Sequence, residues 1–175
     1  MGLEEVISAM RAVGKIPRPL VRKWMQSNDV EVLGAVYSLF MEPRYYRRIQ
    51  PSLTIDDYRK FVLPFLQRCI LDNPQGDWSL TRYEAAWCAE DWFTQLWNDK
   101  HVPRRELSRM KAWLVKMYMD NGGEVRQCIV TAVLEHLFER TDIRRFFSDW
   151  QKDPVLRGAF SASTAWSDLG STGSL

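Results

Sequence analysis

"RYEAAWCAEDWFTQLW", residues 82–97, holds three tryptophans, a tyrosine, a phenylalanine and three carboxylates in sixteen positions. On a helix turning about 100° per residue, Tyr83, Ala86, Trp87, Phe93 and Trp97 share one side. Ala85, Cys88, Ala89, Trp92 and Leu96 take most of the other, leaving Glu84, Asp91 and Gln95 as a narrow polar strip. A helix apolar nearly all round belongs in an interior, so a buried central helix is expected. Glu90 is the exception, because it falls inside the aromatic arc. A buried carboxylate must be paired, hydrogen-bonded or protonated. Two readings stand: an ion pair with an arginine of a neighbouring helix, or a carboxylate tuned for acid–base work.

The same three-and-four spacing runs outward in both directions, and strict alternation is rare, so the chain reads as all-α. Leu3, Val6, Ile7 and Met10 mark a first helix that stops near Gly14, and Pro17 and Pro19 start a second through Trp24. Asn28, with Glu31 as reciprocal partner, is expected to cap a helix to Met41. Pro43 to Pro51 reads as a break. Thr54 opens a helix in which Pro64 makes either a kink or a division. Residues 72–77 form a turn, and Thr81 with Glu84 makes a capping box for the central helix. A helix from Pro103 runs to Asp120, where Asn121–Gly122–Gly123 is expected as its C-terminal cap. Helices from Glu124 to Glu139, from Thr141 or Asp142 to Trp150, and from Asp153–Pro154 follow. The sum is a compact bundle of about seven to nine helices, packed partly as stacked antiparallel pairs. Residues 1–167 are expected as a single domain and 168–175 as a disordered tail, rich in Ser, Gly and Thr.

Totals narrow the class. At 175 residues the chain suits one domain and needs neither metal nor disulfide for stability. A net charge of +2 argues against general nucleic-acid binding. Cys69, Cys88 and Cys128 are odd in number and sit in apolar helical runs, so buried free thiols in a reducing, cytoplasmic setting are expected. No cationic leader precedes an apolar stretch, and no run approaches the ~18 residues of a membrane span. His101 and His136 and the three cysteines form no metal spacing, no Gly-rich phosphate loop or nucleophile elbow occurs, and neither metal nor cofactor is expected. His136 lies near Val125, Ile129 and Ala132 and reads as a core or edge histidine.

Two basic stretches remain. Arg44, Tyr45, Tyr46, Arg47 and Arg48 fall in the break after Pro43 and combine the residue types most common at binding hot spots. Arg104, Arg105 and Arg109, with Lys100, Lys111 and Lys116, form the second. Near-neutral total charge requires acidic patches elsewhere, for which Asp56, Asp57, Glu84, Asp91, Glu135 and Glu139 are candidates. A surface divided by sign favours one complementary partner over generic attraction to polyanions.

"NDVEVLGAVYSLF" (28–40) and "GGEVRQCIVTAVLEHLF" (122–138) share a turn residue, valines and a Val/Leu/Phe stripe, a faint internal repeat. The segment "DNGGEVRQCIVTAVLEHLF" (120–138) resembles the second helix of a HEAT-type repeat. With "FFSDWQKDPVLRGAF" (146–160), the C-terminal half is similar to small all-helical bacterial proteins regarded as immunity proteins of polymorphic toxins. The resemblance implies a stacked helical fold and stoichiometric binding to one protein, such as a toxin, and no catalytic residue. The expected function is therefore a non-enzymatic protein-binding module. Two other classes are a nucleic-acid-binding helical repeat and a small enzyme using Glu90 or His136 in an aromatic pocket.

Overall fold

The computed structural model describes residues 2–172. They form ten helices, counting residues 123–138 (two α segments joined by a π turn) as one, with almost no strand, and 74% of the chain is helical, an all-α fold. Contacts group the chain into two compact units, residues 1–81 and 82–175.

In the first unit, α1 (Leu3–Arg11) is followed by β1 (Ile16–Pro17), α2 (Arg18–Trp24), α3 (Val30–Met41), α4 (Pro43–Tyr46), β2 (Ile49–Gln50) and α5 (Ile55–Asp72). The cap of α3 is Asp29 and not Asn28, one residue later than expected: its carboxylate accepts the Glu31 and Val32 N–H groups. Thr54 and Asp57 supply the capping box of α5. Pro64 neither divides nor ends α5. It lies on the exposed side, where the carbonyl it leaves without a donor can take water. The interior is aromatic. Tyr37 stacks on Phe65 at 4.7 Å between ring centroids, and Phe40 meets Phe61 at 4.8 Å. The expected break after Pro43 contains two short elements. α4 is one turn started by Pro43, and it is the helix beyond the expected nine. β2 pairs in parallel with β1, setting Ile16 opposite Ile49, both buried.

The second unit runs through α6 (Arg82–Asn98), α7 (Arg104–Met119), α8 (Gly123–Ile129), a π-helical turn (Val130–Leu134), α9 (Glu135–Phe138), α10 (Thr141–Phe146), a 3-10 turn (Ser148–Lys152) and α11 (Leu156–Thr172). Its core joins Phe93, Phe138, Phe147, Trp150 and Phe160 in a chain of ring contacts at 5.0–5.6 Å. No left-handed glycine ends α7, contrary to expectation: Gly122 has ordinary φ and instead opens α8. Arg126 does that work from the next helix, donating to the Tyr118 and Met119 carbonyls, and Asn121 donates to Met117 O. These are the carbonyls a helix end leaves without partners. Asp153 caps α11 as read from the sequence, accepting from Val155 and Leu156 N–H. α11 continues to Thr172, so the boundary expected at 168 falls inside a helix. Residues 173–175 of the expected tail lie outside the described residues.

Candidate functional site

α6 splits its aromatics between two faces. Ala85, Ala86, Ala89, Trp92 and Phe93 are buried, at the spacing of one helical stripe. Tyr83, Trp87, Glu90 and Thr94 follow a second stripe at i, i+4, i+7 and i+11. On it Tyr83 is 43% exposed and Trp87 50% exposed. The expectation of a helix buried all round is therefore corrected. The core covers one side, and the aromatic residues of the other side meet solvent.

That exposed stripe continues onto two neighbours within the same unit. Tyr83 and Trp87 lie 6.4 Å apart by ring centroid. Glu90, one turn on, is half-buried and accepts a hydrogen bond from Thr94 Oγ1 at 2.9 Å. Among the described residues it has no ion pair, so the expected arginine partner is absent. Burial pushes its carboxyl above the usual carboxylate range, while the Thr94 hydroxyl and the His136 imidazole oppose the rise. Asp91 and Glu139 add to it by repulsion. His136 Nδ1 stands 3.3 Å from Glu139 Oε1, and its ring meets the edge of Trp166 on α11 at 5.7 Å. Trp166 is 45% exposed.

The π turn explains where His136 sits. A π turn carries an extra residue and rotates everything after it relative to a straight helix. Leu137, fully buried, takes the inward place that an unbroken helix would give His136. His136 becomes an edge histidine, the second of the two roles read for it. Glu135, expected on an acidic surface, is buried, and burial raises its carboxyl pKa. The result is a surface face that carries three partly exposed aromatic rings and a carboxylate without a counter-ion among the described residues, with Glu139 and His136 beside it.

The two basic stretches lie in different units. In the first, Arg48 is structural: its guanidinium donates to the carbonyls of Ala9, Met10 and Gly14 at 2.7–2.9 Å, closing the end of α1. Arg44 pairs with Glu42 and lies over the Tyr45 ring at 4.6 Å. Tyr45 and Tyr46 are half-buried, and Arg47 is exposed. Among the described residues Arg47 has no ion pair or side-chain hydrogen bond. In the second stretch, Arg104 lies over Trp97 and Phe146, at 4.9 and 4.6 Å from the ring centres. Arg105 and Arg109 flank the buried carboxylate of Glu106. All three arginines are exposed on α7.

Asp57, expected on the surface, is 2% exposed. Burial opposes its ionisation, yet Arg22 together with the Thr54 N–H and hydroxyl holds it below the usual carboxylate range. The three cysteines are free thiols; Cys69 and Cys128 are buried, but Cys88 is half-buried. An open cleft of about 460 Å³ between α7 and the 3-10 turn is lined by Lys111, Phe146, Asp149 and Trp150. Its cation is satisfied internally, because Lys111 bonds Asp149 and the Phe146 carbonyl. Among the described residues no group of three His, Cys, Asp or Glu side chains is placed to hold a metal. No described helix is long and apolar enough to cross a membrane.

Comparison with known proteins identifies no relative: no family model, curated protein or solved structure matches the chain.

Trp166 was not a candidate from sequence. The available signal was a lone tryptophan in an otherwise small-residue segment, Ser161 to Ser167.

Proposed function

We propose that the chain is a non-enzymatic, cytoplasmic binding module for one specific protein, and that Tyr83, Trp87 and Trp166 form the centre of the contact surface. One observation carries the reading. An aromatic face stands half open to water on helices whose other sides are well packed. Exposed aromatic clusters beside polar groups mark interaction sites, and tryptophan and tyrosine supply most contact energy at such sites. The short turns linking α6, α7 and the 123–138 helix support a HEAT-like stacking of neighbours as part of the same proposal. An immunity role, in which the bound partner is a toxin whose active surface is covered, fits a stoichiometric binder of this size.

A nucleic-acid interface is disfavoured at this face, since Glu90, Asp91 and Glu139 repel phosphate. An enzyme built on Glu90 or His136 is disfavoured by the partial exposure of both groups to water. The test is a tagged pull-down from the native host with nuclease treatment, followed by size-exclusion chromatography. The reading expects one protein in fixed ratio, retained in moderate salt and lost by the Trp87→Ser, Trp166→Ser double variant. Retention by that variant, or recovery of nucleic acid lost with salt, overturns it.

A further inference from the structure

We infer that the aromatic face of α6, α9 and α11 receives an arginine side chain of the partner, with Glu90 as its counter-ion; this rests on the protein-binding reading above. The argument is charge complementarity. Glu90 is half-buried, Thr94 donates a hydrogen bond to it, and no cation among the described residues pairs with it. A partly desolvated carboxylate without a cation is destabilising where it stands. The surrounding groups add negative charge: Asp91 on the same helix and Glu139 beyond α9 both act on Glu90. His136 offers the one nearby balancing group among those that act on it, and it is shared with Glu139.

The rings choose between cations. Tyr83 and Trp87 line the α6 side of Glu90, and Trp166 lies beyond His136 on the α11 side. Their faces attract a cation through the ring quadrupole. A guanidinium is planar, stacks on such rings and forms paired bonds to a carboxylate, whereas an ammonium is a compact, strongly hydrated charge. Glu90 Oε1 accepts one bond from Thr94 and keeps a second lone pair, so both carboxylate oxygens retain acceptor capacity for a guanidinium. The same chain already holds cations over aromatic rings, Arg104 over Trp97 and Phe146 and Lys111 over Phe146 and Phe147. The aromatic–acidic face offers that arrangement with the cation supplied from outside.

The experiment titrates the full chain with Nα-acetyl-arginine amide while following the tryptophan indole N–H signals by NMR. Trp87→Phe and Trp166→Phe variants assign the two signals. The uncharged isostere Nα-acetyl-citrulline amide, at matched ionic strength, is the control. The inference expects saturating shifts of the Trp87 and Trp166 signals with the arginine probe. It expects binding about tenfold or more weaker for citrulline and for the Glu90→Gln protein with either probe. Equal responses to both probes, or an unchanged response in Glu90→Gln, overturn it. Gln keeps the shape and the Thr94 bond, so circular dichroism and the remaining indole signals confirm the fold. The broader reading is tested separately by the captured partner. If Trp87→Ser with Trp166→Ser loses the partner while Glu90→Gln keeps full affinity, the binding face stands and the arginine assignment falls. If neither change affects the partner, the face itself is wrong.

Discussion

Arg48→Met separates structure from recognition within the 44–48 stretch. The Arg48 guanidinium reaches back across the unit to the last turn of α1 and donates to three carbonyls. Methionine keeps the aliphatic stem and removes all three donors. Hydrogen bonds from a charged group contribute about 1.5–3 kcal/mol each in a protein. The Gly14 carbonyl is exposed, so water replaces that bond at little cost. The bonds to Ala9 and Met10 are partly buried, and roughly 1–1.5 kcal/mol each is lost after water recovers a share. The expected loss is about 2–3 kcal/mol. For a chain of this length that lowers the midpoint by about 4–12 °C if the chain unfolds as one transition. Urea denaturation followed by circular dichroism reads the change directly, and hydrogen exchange at the α1 amides locates it. Arg47→Met is the control. Arg47 is exposed and has no side-chain partner among the described residues, so its change should stay within about 0.5 kcal/mol. If Arg48→Met also stays within that range, the capping argument is wrong and Arg48 is free for a partner after all.

Three further outcomes follow from local geometry. Gly76 has φ of +83°, and an added Cβ would meet Thr81 Cγ2 at 2.8 Å and Ser79 O at 3.2 Å. Gly76→Ala should therefore destabilise by more than about 1 kcal/mol, as measured by denaturant midpoint. Glu90 has a folded pKa above its ordinary value of 4.5. The stability it contributes is present below the unfolded value and is lost as pH rises through the folded one. As pH falls from 7 toward 4.5 the wild type should therefore gain stability relative to Glu90→Gln, and a constant difference across that range would reject the burial argument. The Cys128 thiol is buried and pushed up to about 11. In native protein a thiol reagent should modify the half-buried Cys88 first and leave Cys69 and Cys128 until unfolding, as mass mapping would show; early labelling of Cys128 would contradict its burial.

The long elements were legible because their signals are local. Thr54, Pro103 and Asp153 sit where helices begin, and side chains at three-and-four spacing mark their inner faces. The features that escaped the sequence are either too short for periodicity or made by distant partners. α4 is a single turn, and the β1–β2 pair is two residues long, so neither repeats a pattern. The π turn is invisible in Val130–Leu134, which reads as ordinary helix, and it alone moves His136 from the inner face to the edge. Arg48 looked like a surface charge because its partners, Ala9, Met10 and Gly14, lie more than thirty residues away, and so does Arg22, the cation that pairs with buried Asp57. The opening segment shows the same limit. Composition says that α6 has two apolar sides, but not whether a neighbour covers both. Glu90 was the readable sign: an acid within an aromatic arc fits an arc that meets water better than one sealed in a core.

The most direct test of the aromatic face is the affinity of the purified partner for two single variants, measured by calorimetry. Trp87→Ala should weaken binding by about 2 kcal/mol or more, roughly thirtyfold, as a central anchor does. Arg47→Ala should leave it within about threefold, less than 1 kcal/mol. A Trp87→Ala protein that binds as wild type, beside an Arg47→Ala protein that does not, would contradict the account and move the contact surface to the 44–48 stretch.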